Sequence, residues 1–112
     1  MKVSEIIEPL GLKMISGENN IQKEVTGGYT SDLLSDVIGN AREGNIWITL
    51  QTHNNIVAVA SLKDLAAIII VKGLMADEAT IEKSKSENIP LLSSADDTFT
   101  VSGRLFELLK SR

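Results

Sequence analysis

Apolar positions along the chain fall into short continuous runs and longer helical repeats, and the two alternate. Ile46-Trp47-Ile48-Thr49-Leu50 and Ala66-Ala67-Ile68-Ile69-Ile70-Val71 are continuous, rich in β-branched residues and flanked by polar loops. Strands buried on both faces have this pattern. Ile89-Pro90-Leu91-Leu92 is a shorter run, and Pro90 puts it at a sheet edge or a strand start. A helix is predicted from about Ala76 to Asn88. It carries Ile81, has Asp77 and Glu78 in its first turn and Lys83 and Lys85 later, a charge order that suits the helix dipole. The last helix runs from about Asp97 to Lys110, with Val101, Leu105, Leu108 and Leu109 as its apolar stripe and Phe106 beside it.

The first half is less regular. Ser4 is a candidate cap for a short helix carrying Ile6, Ile7 and Leu10, which Pro9 and Gly11 end. Leu12 to Ile15 reads as a strand stopped by the polar turn Ser16-Gly17-Glu18-Asn19-Asn20. A second strand is predicted near Lys23 to Thr26, leading into Gly27-Gly28 as a tight strand-to-helix turn. The following helix starts near Thr30 or Ser31, with Asp32 in its first turn and Leu33, Leu34, Val37, Ile38 and Ala41 at helical spacing.

Ile56-Val57-Ala58-Val59-Ala60 fits either a strand or a nearly all-apolar helix. The helix, over about 54–63 and capped by Asn54 or His53, is preferred, because run 66–71 is apolar on both faces, as in parallel strands covered by helices. The expected fold is therefore α/β: a Rossmann-like layered arrangement with a mostly parallel sheet flanked by helices. A helix apolar all round must be buried, which points to a second subunit covering part of 54–63.

Composition narrows the function. A length of 112 residues suits one domain, 1–112, and 43% apolar residues with 23% charged ones rule out wholesale disorder. Eleven Lys+Arg against fifteen Asp+Glu, a formal charge of −4, argue against nucleic-acid binding. With no cysteine, thiol catalysis, iron–sulfur ligation and thiolate zinc sites are excluded. The N-terminus builds no signal-peptide core, and the longest apolar stretch, Leu65 to Val71, is far short of the roughly 20 residues that span a membrane. A cytoplasmic protein without a membrane segment is expected.

Chemistry is sparse. There is no GxxxxGK[ST] phosphate loop, no GxGxxG fingerprint, no GxSxG elbow and no HExxH spacing. No cofactor or metal site is therefore expected. In parallel sheets ligands sit beyond the carboxyl ends of the strands. Three loops would build that rim: Gln51 to Asn55, Lys72 to Leu74, and Ser93 to Thr98. Thr49, Gln51, Thr52, His53, Asn54, Lys72, Gly73 and Thr98 are the candidate residues for a small anionic metabolite or nucleotide. Hydroxyls and amides supply hydrogen bonds, Lys72 a charge, and Gly73 a close backbone approach. Caps and turns alone also explain most of these residue types. His53, the single histidine, reads as a cap rather than a catalyst for lack of partners; a small hydrolase or transferase pairing it with a nearby carboxylate is the alternative.

The run Gly44-Asn45-Ile46-Trp47-Ile48-Thr49, the apolar strand 66–71 with its following glycine, Ile89-Pro90-Leu91-Leu92, and Asp97-Thr98-Phe99 together resemble the DRTGG domain. That module is attached to CBS-domain proteins and phosphotransacetylases and is similar to the N-terminal domain of HPr kinase/phosphorylase. The resemblance covers about Met1 to Leu109 and is strongest to small stand-alone members, some encoded beside iron-only hydrogenase genes. It implies a regulatory or ligand-sensing domain without catalysis of its own, self-association as a homodimer, and a metabolic or hydrogenase-associated partner protein. The signature itself is altered. Its Asp-Arg stands as Thr52-His53, and its Thr-Gly-Gly as Val71-Lys72-Gly73, so only Gly73 survives.

Overall fold

The structure, a computed structural model, describes residues 1–111. Its elements in chain order are α1 (Val3–Ile7), β1 (Lys13–Ser16), a 3₁₀ turn (Glu18–Asn20), β2 (Gly27–Thr30), α2 (Leu34–Asn40), β3 (Asn45–Thr49), α3 (Asn55–Leu62), β4 (Ala67–Ile70), α4 (Glu78–Glu87), β5 (Leu91–Ser93) and α5 (Thr98–Lys110). One sheet has the order β1-β5-β4-β3-β2. Strands β2 to β5 are mutually parallel, and β1 joins β5 antiparallel at one edge.

Both faces of the sheet are covered, so β3 and β4 are buried at every position and, apart from Asn45 and Thr49, apolar. Ile46 and Ile48 of β3, Ala67 and Ile69 of β4 and Leu92 of β5 share a cluster with Val3 and Ile6 of α1 and Val101 and Leu105 of α5. The alternate residues Trp47, Ile68, Ile70 and Leu91 pack with Val37 of α2, Ile56, Val57, Val59 and Ala60 of α3, and Ile81 of α4. The period-two alternation of a strand divides each run between these two clusters. Parallel strands follow one another without a reversal of direction, and the three crossover helices all lie on one face.

The preferred helix at 54–63 is present as α3. Its buried face is covered by α2 and α4 of the same chain, so the second subunit expected there is not what buries it. Pro90 lies at a strand start, since β5 is interior to the sheet. Other expectations shift at the N-terminal end. Lys2, not Ser4, is the N-cap of α1, and the Glu5 carboxylate accepts from the Lys2 N–H at 2.7 Å. The region predicted as a strand near 23–26 makes only an isolated bridge, Glu24 with Lys2. Gly27 and Gly28 are inside β2 rather than in a turn. A Cβ at Gly28 would come within 3.0 Å of Leu105 Cδ2, so the missing side chain lets α5 lie close on the sheet. Helix α2 starts later than expected, with Leu33 as its N-cap.

Candidate functional site

The loops after β3, β4 and β5 do gather at the C-terminal rim, and backbone hydrogen bonds stitch them together. The Thr52 carbonyl accepts from the Asp77 N–H at 3.1 Å and from Thr80 Oγ1 at 2.7 Å, joining the first loop to the start of α4. The Lys72 N–H donates to the Asp96 carbonyl and the Gly73 N–H to the Ser94 carbonyl, both at 2.8 Å, joining the second loop to the third.

Within this rim the candidate residues divide. Thr49 is buried; its hydroxyl donates to Asp32 Oδ1 at 3.0 Å and accepts from the Gln51 N–H at 3.1 Å. Gln51 Nε2 donates to the Asp32 carbonyl at 2.8 Å. Both side chains brace the rim, Thr49 from within and Gln51 from a half-buried position. His53 is exposed, and its Nδ1 accepts from the Asn55 N–H at 3.1 Å, so the ring caps the first turn of α3. Asn54 is the N-cap position by backbone, without a side-chain cap bond. Thr98, half-buried, opens α5 behind Asp97. Lys72 and Gly73 are exposed and both have left-handed backbone, φ 61° and 66°. Among the described residues, no carboxylate makes an ion pair with Lys72 or His53, and no group of three His, Asp or Glu side chains is placed to hold a metal.

Asp32 is the rim residue that local pattern conceals. Instead of sitting in the first turn of α2, its carboxylate accepts from Thr49 Oγ1 and from the Leu50 N–H at 2.7 Å. It thereby ties the end of β2 to the end of β3. Asp32→Ala is expected to cost about 1–2 kcal/mol, read as a lower urea midpoint, with Asp32→Asn recovering part of it. A loss below a few tenths would show that the loop is held by its other contacts.

The carboxylates at the start of α5 are committed, while Asp77 at the start of α4 is exposed and makes no side-chain cap bond. Asp97 caps α5 through the Thr100 N–H at 2.8 Å; this bond first, and the positive charge of Lys72 last, draw its pKa below 3.8. Asp96 pairs with Arg104 at 3.0 Å, and Arg104 also donates to the Pro9 carbonyl at 2.9 Å. On the adjoining edge Tyr29 donates to Asp36 at 2.8 Å, a bond that raises the phenol above 10.0. Asp36, held by Ser31 and then Tyr29, lies below 3.8, as does Asp64 beside Lys23. Groups with depressed pKa stabilise the fold above their unfolded value and lose that contribution as pH falls through the folded one. Tyr29 behaves oppositely, contributing below its unfolded value and losing it as pH rises through the folded one. A stability plateau is therefore expected between about pH 4 and pH 10, with declines on either side. Asp36→Asn should flatten both declines in urea titrations at each pH; unchanged slopes would contradict it.

A family model, the DRTGG domain, matches residues 5–108. The chain belongs to the DRTGG domain family. No curated protein matches it. Among solved structures, the DRTGG chain is similar to the CBS and DRTGG domains of the regulatory region of Clostridium perfringens pyrophosphatase, crystallised with its activator diadenosine tetraphosphate. Identity is 19% and the TM-score 0.72; the match covers 93% of this chain and 45% of that one, so this DRTGG chain spans less than half of that regulatory region. At this identity the likeness establishes the fold. The positive φ of Lys72 and Gly73 is backbone that glycine adopts without a Cβ penalty. A lysine is held in that conformation here. Among the described residues of the DRTGG chain, no helix is long and apolar enough to cross a membrane.

Proposed function

We propose that this chain is a non-catalytic regulatory module, a single domain that senses a small anionic metabolite or nucleotide at the C-terminal rim and works as a homodimer. The observation that carries the reading is the rim itself. Its loops are cross-braced by backbone bonds, and the carboxylates of Asp32, Asp96 and Asp97 are engaged by protein partners. Lys72 and His53 meanwhile face solvent, without ion pairs among the described residues. Thr52, Asn54, Gly73 and Thr98 frame that surface, while Thr49 and Gln51 support it from beneath. His53 spends Nδ1 on a cap and has no carboxylate partner among the described residues, which favours binding over proton transfer. The similar pyrophosphatase region is regulatory and was crystallised with a nucleotide activator, in keeping with this ligand class.

Adenine nucleotides and phosphorylated metabolites, screened by thermal shift, test the proposal. A binder at a hundred times its Kd is expected to stabilise the fold by about 2.7 kcal/mol. Lys72→Gly removes the charge while relieving the left-handed strain, so it should keep a stable fold and lose the ligand shift; His53→Ala should weaken it. No shift with any compound, or full shifts in both variants, would overturn the site. Light scattering should give a dimer mass at tens of micromolar, and a clean monomer would remove the homodimer.

A further inference from the structure

Helix α5 presents an apolar face that none of the described residues packs over, Lys110 at its edge apart. Each helical residue turns by about 100°, so Phe99, Gly103, Phe106 and Lys110 lie on one stripe, opposite the buried Val101 and Leu105. Phe99 is 88% and Phe106 62% exposed, although Lys110 already sits over the Phe106 ring at 5.4 Å. Large aromatics this open on the outward face of a regular helix call for a partner. Phe106 is also the ridge between two grooves. One, of about 470 Å³, runs between α5 and β2; the other, of about 780 Å³, lies between α5 and the Pro9-Leu10 end of α1. At Gly103 the helix backbone is bare, with no atom within 4 Å of where a Cβ would stand.

We infer that this stripe is the contact between two copies of the chain, with their α5 helices antiparallel across a twofold axis at Gly103. The inference rests on the homodimer proposed above and names its surface. The sequence of α5 is self-complementary in that orientation. Phe99 falls opposite Glu107 and Phe106 opposite Thr100, so the four rings close around the two bare glycines, and each ring has a groove to enter. Lys110 at the basic end falls opposite Asp96, with Asp97 one residue away; both carboxylates already have partners in their own chain but stay part-exposed, so each cationic end meets the other copy's acidic end. A parallel arrangement would set like charge against like. The antiparallel helix dipoles favour the same orientation. A contact built on one helix of 13 residues is small, which sets the expected affinity in the weak, reversible class.

Because the chain has no native cysteine, cross-linking locates the contact cleanly. Gly103→Cys, oxidised mildly in the full chain, is expected to give a covalent dimer, since facing residues at the axis come within disulfide reach. Leu62→Cys, exposed on α3, should stay monomeric on denaturing gels. In sedimentation, Phe99→Ala and Phe106→Ala should each weaken association by about tenfold or more. Gly103→Trp should abolish it while leaving the thermal melt of the monomer in place. A dimer that tolerates all three changes, or that cross-links through Leu62→Cys instead, overturns this surface and leaves the homodimer standing. A wild-type chain that is monomeric throughout overturns both.

Discussion

Replacing Trp47 with alanine is expected to remove about 3–5 kcal/mol of folding stability, the largest loss of any single side chain in the molecule. Trp47 is fully buried at the centre of β3, among the core residues that join the sheet to α2 and α3. Truncation leaves a cavity between layers that backbone pairing on both sides of β3 prevents from collapsing. It also removes the Nε1–H that donates to the Ser31 carbonyl at 2.8 Å, the bond that anchors the loop leaving β2. Domains of this size are stable by about 5–15 kcal/mol, so the variant should be near the edge of folding. Urea unfolding followed by circular dichroism measures it, the fluorescent probe having been removed. Trp47→Phe should recover most of the loss and leave the Ser31 carbonyl short of a donor. A cost below about 1 kcal/mol for alanine would mean that the layers close over the gap.

The second large effect separates steric overlap from backbone strain. Gly11 and Gly17 flank β1, and both have left-handed backbone, φ 62° and 79°. A Cβ at Gly11 meets nothing within 4 Å, so Gly11→Ala should cost only the conformational penalty, about 1 kcal/mol. At Gly17 the same atom would stand 2.2 Å from the Ile89 carbonyl oxygen and 2.8 Å from Pro90 Cα. Those are backbone atoms at the entry to β5, fixed because the neighbouring Pro90 carbonyl accepts from the Ile68 N–H at 3.0 Å. Relief requires moving the β4–β5 pairing or the antiparallel edge strand. Gly17→Ala is therefore expected to cost about 3 kcal/mol or more, seen as a large fall in urea midpoint beside the small one for Gly11→Ala. Equal effects at the two sites would show that strain alone matters there.

What the chain displays locally and what it hides follow from the range of the interactions. Strands β3 and β4 are plain in the sequence because both faces are covered, which favours continuous, largely apolar runs such as 46–50 and 66–71, with Thr49 the one polar residue among them. That same feature identified α3 as a crossover helix despite its ambiguous pattern. Strand β2 is hidden, because Gly27 and Gly28 have little strand propensity of their own. They pair with β3 because Gly28 leaves room for Leu105, a contact with the far end of the chain. Asp32 is misread for the same reason. In sequence it sits where a helix dipole would favour it, whereas its partners, Thr49 and Leu50, belong to the next strand. The gathering of the three rim loops was legible from strand order alone. Which of their side chains brace the rim is hidden, since Thr49 and Gln51 differ from Thr52 and Asn54 only in what lies beside them.

The rim as a ligand site is tested most directly by ¹H–¹⁵N NMR titrations of the full chain with the adenine nucleotides and phosphorylated metabolites proposed as its ligand class. Saturable shifts are expected at the amides of Thr52, His53, Lys72, Gly73 and Thr98, and their absence in Lys72→Gly. A spectrum that does not change, or shifts confined to the opposite end of the sheet around Gly44 and Asn45, would contradict it.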